Sequence, residues 1–198
     1  MFETIRYNLS NLTNFSGRDS RSTFWFYVLF LVIAHMVISF GLSLVAGGAM
    51  VVDAFHTAHT GASGMIVQQH LLGGISGLVQ SSMWGSVLLS LVMTVLLAAS
   101  FTRRLHDSDK PGWVAAATIA MQLLSVVLAI GMINEMGSLF ALMKLDDPAA
   151  TQAVMRAQQA KFVFRGALGW LPTLSVVVFG IWPSSDGDNR YGPEPDHL

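Results

Sequence analysis

The chain has 198 residues, 53% hydrophobic and 12% charged, with a mean hydropathy of +0.54. A soluble domain carries about twice that charged fraction, so this much apolar surface calls for lipid as its solvent, in one membrane domain covering 1–198. A net charge of −1 offers no basis for a nucleic-acid partner, and the absence of cysteine excludes disulfides and thiolate metal sites.

Residues 1–23 are polar, carry Glu3 and Asp19, and lack an apolar core followed by a small-residue cleavage site, so a cleaved signal peptide is not expected. Phe2, Ile5, Leu9, Leu12 and Phe15 recur at spacings of three and four, which places Asn8, Asn11 and Asn14 off the apolar stripe. The pattern predicts a short amphipathic helix at headgroup depth, with a frayed polar terminus as the plainer alternative. Four apolar runs follow, at 24–45, 83–101, 113–132 and 162–182, each near the roughly 20 residues that cross a hydrocarbon core. The first opens on Phe24-Trp25-Phe26-Tyr27, an aromatic belt. The fourth is the weakest, because Arg165 must snorkel and Gly169, Pro172 and Gly180 interrupt it. Residues 183–198 form a polar tail.

Lys and Arg set the orientation. With the N-terminus inside, the inner segments hold Arg6, Arg18, Arg21, Arg103, Arg104, Lys110 and Arg190, whereas the loop 46–82 holds neither residue type. The loop 133–161 dilutes the signal with Lys144, Arg156 and Lys161. Both termini are expected to be cytoplasmic. Loop 46–82 carries Asp53, His56, His59 and His70. The three-residue spacing of His56 and His59 suits a shared metal, but without a second ligand pair solvated loop histidines are the simpler reading and no metal is assigned. Asp147-Pro148 reads as an N-cap and first helical residue, starting a helix that runs toward the fourth span and bends at Gly166.

Polar chemistry gathers in three inner patches. Arg103 and Arg104 follow a helix C-terminus, and Asp107 and Asp109 precede a helix N-terminus; each complements the macrodipole by about 0.3–1 kcal/mol and needs nothing more. Arg18 and Arg21 near a helix N-terminus, and Asp186 and Asp188 after a helix C-terminus, are misplaced with opposite signs. Mutual compensation, directly or through Arg103, Arg104 and Arg190, would bind the first helix, central loop and tail into one network; the positive-inside rule alone also accounts for the arginines. Arginines in excess of their carboxylates would suit a lipid phosphate. His106 beside Asp107 lacks a nucleophile motif, and neighbours on a helix do not face each other. Asp186-Gly187-Asp188 is similar to the start of a calcium loop, but Arg190 occupies the next ligand position. Within the spans, His35 and Gln122 are polar at mid-depth, where packing through neighbouring hydroxyls outweighs a proton relay.

Three segments together resemble one bacterial inner-membrane family, domain of unknown function 805. Phe15-Ser16-Gly17-Arg18 through Arg21 and Phe24-Trp25 resembles its opening signature. Arg103-Arg104-Leu105-His106-Asp107 with Gly112-Trp113 resembles its core, and Gly187-Asp188-Asn189-Arg190-Tyr191-Gly192-Pro193 with Pro195 its close. The resemblance covers Phe15 to Pro195 and implies a small multi-pass protein of the bacterial cytoplasmic membrane without an assigned activity. It also implies that the three patches form one site, built from Arg18, Arg21, Arg103, Arg104, His106, Asp107, Asn189, Arg190 and Tyr191.

The sequence therefore predicts an all-α integral membrane protein with four transmembrane helices, a short amphipathic N-terminal helix and both termini cytoplasmic. Its expected function is non-enzymatic: a binding or scaffold module whose Arg/Asp/His cluster, with Asp186 and Asp188, engages anionic phospholipid or another membrane protein. The alternatives are a small transporter or channel using His35 and Gln122, and a membrane enzyme acting on a phosphorylated lipid. No cofactor is expected, and Gly-rich apolar faces are compatible with a homo-oligomer.

Overall fold

A computed structural model describes residues 1–59, 63–143 and 148–195. The elements are α1 (Phe2–Ser10), α2 (Arg21–His59), α3 (Gly64–Asp107), α4 (Trp113–Met143), α5 (Pro148–Gly169) and α6 (Leu171–Ile181). Among the described residues the only strand-like pairing is an isolated bridge between Asn189 and Gly192. Four segments are long and apolar enough to cross a membrane: Arg21–Thr57, Gly64–Asp107, Trp113–Met136 and Met155–Ile181. Large apolar side chains such as Val45, Val95 and Phe40 are 75%, 68% and 66% exposed along them, as lipid requires and water would not tolerate in such density. The chain is an all-α, multi-pass membrane protein.

Two helices run further than their apolar cores suggest. Residues 46–59 and 64–82, expected as an outer loop, continue α2 and α3 as helix. The glycines that resemble loop composition are packing residues: a Cβ on Gly74 would fall 2.9 Å from Met50 Cγ, so its absence lets α2 and α3 approach. His56 and His59 accordingly lie in the last turn of α2. His70, on α3, places Nδ1 3.8 Å from Asp53 Oδ2 in an exposed pair. Asp147, the expected N-cap, lies outside the described residues, and α5 begins at Pro148. The helix runs through Gly166, where a bend was expected, and is interrupted at Trp170, between α5 and α6. Pro172 explains it, because proline has no N–H for the carbonyl four residues back and its ring clashes there. Arg165 also has more than a route to the surface: its Nη1 donates to Glu135 Oε1 of α4 at 2.8 Å.

The helices contribute to two compact units. One comprises Met36–Leu88 and Val127–Arg165 and contains the Gly74–Met50 approach and the Glu135–Arg165 pair. The other comprises Met1–His35, Leu89–Val126 and Gly166–Leu198 and holds all three signature segments. Its apolar core is Phe24, Phe101, Leu105 and Ala115, with Trp25, Val28, Leu97, Val114, Val176 and Phe179 packed around them. Phe24 meets Trp25 edge-on at 5.5 Å and Phe101 at 6.2 Å. Polar ties add register: Tyr27 Oη donates to the Leu96 carbonyl at 3.1 Å, and the Thr118 and Ser175 hydroxyls meet at 2.8 Å.

A close helix contact in this unit depends on Gly180. A Cβ there would sit 2.7 Å from Phe24 Cε1 and 3.0 Å from Trp25 Cζ2, with rigid rings unable to yield. Gly180→Ala is expected to destabilise the fold by about 1–3 kcal/mol through overpacking. Gly166→Ala, facing open space in α5, should be neutral or stabilising by up to about 1 kcal/mol. Thermal unfolding of the two detergent-solubilised variants compares them directly; equal midpoints would remove Gly180 as a packing constraint.

Candidate functional site

The end of α3 carries charged residues that are fully buried. Arg103, Arg104 and Asp107 are each 0% exposed, and Asp19 is 1% exposed. An ion withdrawn from water must find a counter-charge and hydrogen bonds in place of its hydration, and each of these residues does so through a different segment.

Arg103 gathers the N-terminal region. Its Nε donates to Asp19 Oδ1 at 2.9 Å, Nη2 to Asn8 Oδ1 at 2.7 Å, and Nη1 to the Asn11 and Asn14 carbonyls at 3.1 and 2.5 Å. The Tyr7 ring lies 5.4 Å from its Cζ. Asp19 Oδ2 accepts from Ser100 Oγ at 2.9 Å, and the Asp19 amide donates to the Arg103 carbonyl at 3.2 Å. Burial, then the negative charge of Asp19, push the Tyr7 phenol above its ordinary value, partly offset by Arg103. Helix α1 thus turns a polar face inward, with Thr4 and Asn8 buried, and an apolar one outward, with Phe2 87% exposed. The predicted amphipathic helix is present, and its asparagines are what fasten it.

Arg104 closes the end of α6. The last carbonyls of a helix lack intrahelical partners. Arg104 Nε donates to the Gly180 carbonyl at 3.1 Å, which also accepts from Trp25 Nε1 at 3.2 Å, and Arg104 Nη2 donates to the Trp182 carbonyl. A cation at a helix C-terminus is favoured by the dipole as well. Its Nη1 binds Asp107 Oδ2, which also accepts from Ser184 Oγ at 2.5 Å.

Arg18 reaches the same carboxylate from the other side, with Nε and Nη2 at 3.2 and 3.0 Å from Asp107 Oδ1. Its remaining donors hold the tail: Nη2 to the Ser185 carbonyl at 2.8 Å and Nη1 to the Gly187 and Gly192 carbonyls at 2.6 and 3.4 Å. The tail returns a bond from the Ser185 amide to the Asp107 carbonyl at 2.8 Å. Asn189 Nδ2 donates to the His106 carbonyl at 2.9 Å, while its Oδ1 accepts the Tyr191 amide at 2.9 Å and shapes the turn. Gly187 and Gly192 have φ of +65° and +139°, which favour glycine.

His106 and Asp107 diverge. The imidazole stacks on Tyr191, centroids 3.8 Å apart and 5° from parallel, with Nδ1 3.3 Å from the Gly17 carbonyl. That contact places the proton on Nδ1. Asp107 meanwhile faces the two arginines, so the neighbours form no acid–base dyad. The α3–α4 turn is a Schellman cap: the Lys110 amide donates to the Leu105 carbonyl and the Asp109 amide to the His106 carbonyl, with Asp109 at φ 51°. Asp109 also pairs with Arg190 at 2.9 Å, half exposed.

Several expected residues sit elsewhere. Asp186 and Asp188 are exposed, and the carboxylates that meet Arg103 and Arg18 are Asp19 and Asp107. Arg21 is exposed at the start of α2 and makes no hydrogen bond or ion pair among the described residues. His35 and Gln122 are half-buried and likewise without such a bond among the described residues. Among those residues no group of three His, Cys, Asp or Glu is placed to hold a metal. Asp19, Asn8 and Ser184 were missed by sequence reasoning; only the position of Asp19 between Arg18 and Arg21 hinted at it.

A family model described as protein of unknown function (DUF805) matches residues 12–193, and the chain belongs to that family. No curated protein and no solved structure matches it.

Asp107 carries two buried guanidinium groups, so Asp107→Ala leaves both without a carboxylate and is expected to cost about 3–5 kcal/mol. Asp107→Asn keeps hydrogen-bonding capacity and should cost less. Because these charges are buried, added salt should change wild-type stability little. Denaturant unfolding in one detergent reads all three; an Asp107→Ala protein as stable as wild type would refute the pairing.

Proposed function

We propose that this protein is a non-enzymatic binding and scaffold module of the bacterial cytoplasmic membrane. Both termini face the cytoplasm, and the arginine–aspartate cluster fixes a platform there that engages anionic lipid or a membrane partner. The observation that carries this reading is the use of the buried guanidinium donors. Arg18, Arg103 and Arg104 spend them on Asp19, Asp107 and the carbonyls of the α1–α2 segment, α6 and the tail. A reactive centre keeps donors and bases directed at an open volume for substrate; here they are directed at the chain. Orientation rests on the concentration of Arg and Lys at this end of the helices, following the positive-inside rule.

A platform held this way fails segment by segment. Arg18→Ala should release the tail while α6 stays capped by Arg104. Loss of charged hydrogen bonds worth about 1.5–3 kcal/mol each should speed amide exchange at Ser185, Asn189 and Gly192 roughly tenfold or more. Hydrogen–deuterium exchange of the purified variant beside wild type is the test, and an unchanged tail would overturn the scaffold reading.

A further inference from the structure

The interior cluster is electrically incomplete. Three buried arginines face two buried aspartates, which leaves one positive charge, and the His106 Nδ1 lies against the Gly17 carbonyl rather than against a carboxylate. Arg21 adds another at the start of α2. Its position follows from helix geometry. Arg21 lies one turn before Trp25 on α2, so the two share a face. Trp25 Nε1 donates to the Gly180 carbonyl at the end of α6, the same oxygen that Arg104 uses.

A second unconsumed cation approaches from the α3–α4 turn. Lys110 places Nζ 4.8 Å from the centre of the Trp182 ring, just past the end of α6. Trp182 is 43% exposed, and Trp113, which opens α4, is 68% exposed. Tryptophans at a helix start and a helix end on one side of a membrane bundle mark the headgroup level. The exposed carboxylates of the tail are partly engaged: Glu194 Oε2 accepts the Gly187 amide at 3.0 Å, and Asp188 Oδ1 the Glu194 amide at 3.3 Å. Asp109 is held by Arg190.

We propose that Arg21, Lys110 and Trp182 form a phosphate-binding rim at the end of α6, and that its ligand is the headgroup of an anionic glycerophospholipid. The guanidinium supplies paired donors to phosphate oxygens, the ammonium a mobile point charge, and the indole an amphipathic seat beside the acyl chains. The rim is separate from the buried arginines: those hold the platform, and Arg21 and Lys110 read the lipid. The proposal rests on the scaffold reading for the side of the membrane involved. Headgroup depth favours lipid over free phosphate, which shares the chemistry.

The test is native mass spectrometry of the full-length protein with phosphatidylglycerol and phosphatidylcholine in competition, with and without inorganic phosphate. Wild type is expected to retain phosphatidylglycerol preferentially. Arg21→Gln/Lys110→Gln should lose that preference roughly tenfold to thirtyfold, on the scale of two juxtamembrane cations, while Arg21→Lys/Lys110→Arg keeps most of it. Arg156→Gln/Lys161→Gln, which removes equal charge elsewhere, should match wild type. Retained preference in the first variant, or equal loss in the α5 control, overturns the site. Displacement of the lipid by inorganic phosphate overturns the lipid assignment. An unfolded Arg21→Gln/Lys110→Gln protein would make these residues structural and overturn the site too. None of these outcomes alters tail exchange in Arg18→Ala, so failure of the rim is distinct from failure of the scaffold.

Discussion

A guanidinium cannot leave water alone. Its desolvation costs several kcal/mol after relaxation, and only a carboxylate with further hydrogen bonds offsets that. In this protein the requirement decides which distant segments meet. Arg103 draws Asp19, Asn8, Asn11 and Asn14 to the end of α3. Asp107 draws Arg18 and Ser184 to the same turn. The result need not be more stable than an apolar plug of the same volume, because buried ion pairs often match hydrophobic replacements. It is more specific: an apolar plug would accept many arrangements of α1, α6 and tail, whereas two carboxylates and three forked donors accept few.

The same requirement accounts for the orientation of α1. In a water-soluble protein the apolar stripe of a surface helix faces the core. Here Thr4 and Asn8 are buried and Phe2 and Leu9 are exposed. The inversion is what a helix does when its protein neighbour is a buried arginine. The helix is fastened by polarity, through Asn8 and the carbonyls that follow it. At α6 the logic is complementary. A helix whose C-terminal carbonyls are left without water needs donors, and Arg104 supplies them from the neighbouring helix. Gly180 makes the approach close enough.

Hydropathy and the spacing of Phe2 to Phe15 made the all-α architecture, the four apolar helices and α1 legible. The extents of α2 and α3 were not, because Gly-rich composition in 46–82 reads as loop when the glycines are contact points, as at Gly74. At the site, position was readable and partnership was not. Arg103, Arg104 and Asp107 looked sufficient as dipole complements, a surface effect of tenths of a kcal/mol, yet they are the least exposed charges among the described residues. Local spacing along α3 says nothing about Asp19, which lies 84 residues from Arg103. Asp186 and Asp188 drew attention because they follow a helix end, but Arg104 already serves that end, so the tail is free to turn its aspartates outward.

The division of labour among the arginines follows from geometry rather than from charge. Four of them occupy two signature segments, and a charge-only account treats them alike. Arg18, Arg103 and Arg104 are surrounded by carbonyls and carboxylates and cannot turn to an outside ligand without vacating a bond that holds a segment. Arg21, three residues beyond Arg18, opens α2 and spends no donor on the described residues. A recognition surface and its support need different side chains, because a donor already committed to the fold has nothing left for a ligand. The sequence places committed and uncommitted arginines within a few residues of each other, and only the hydrogen-bond geometry tells them apart.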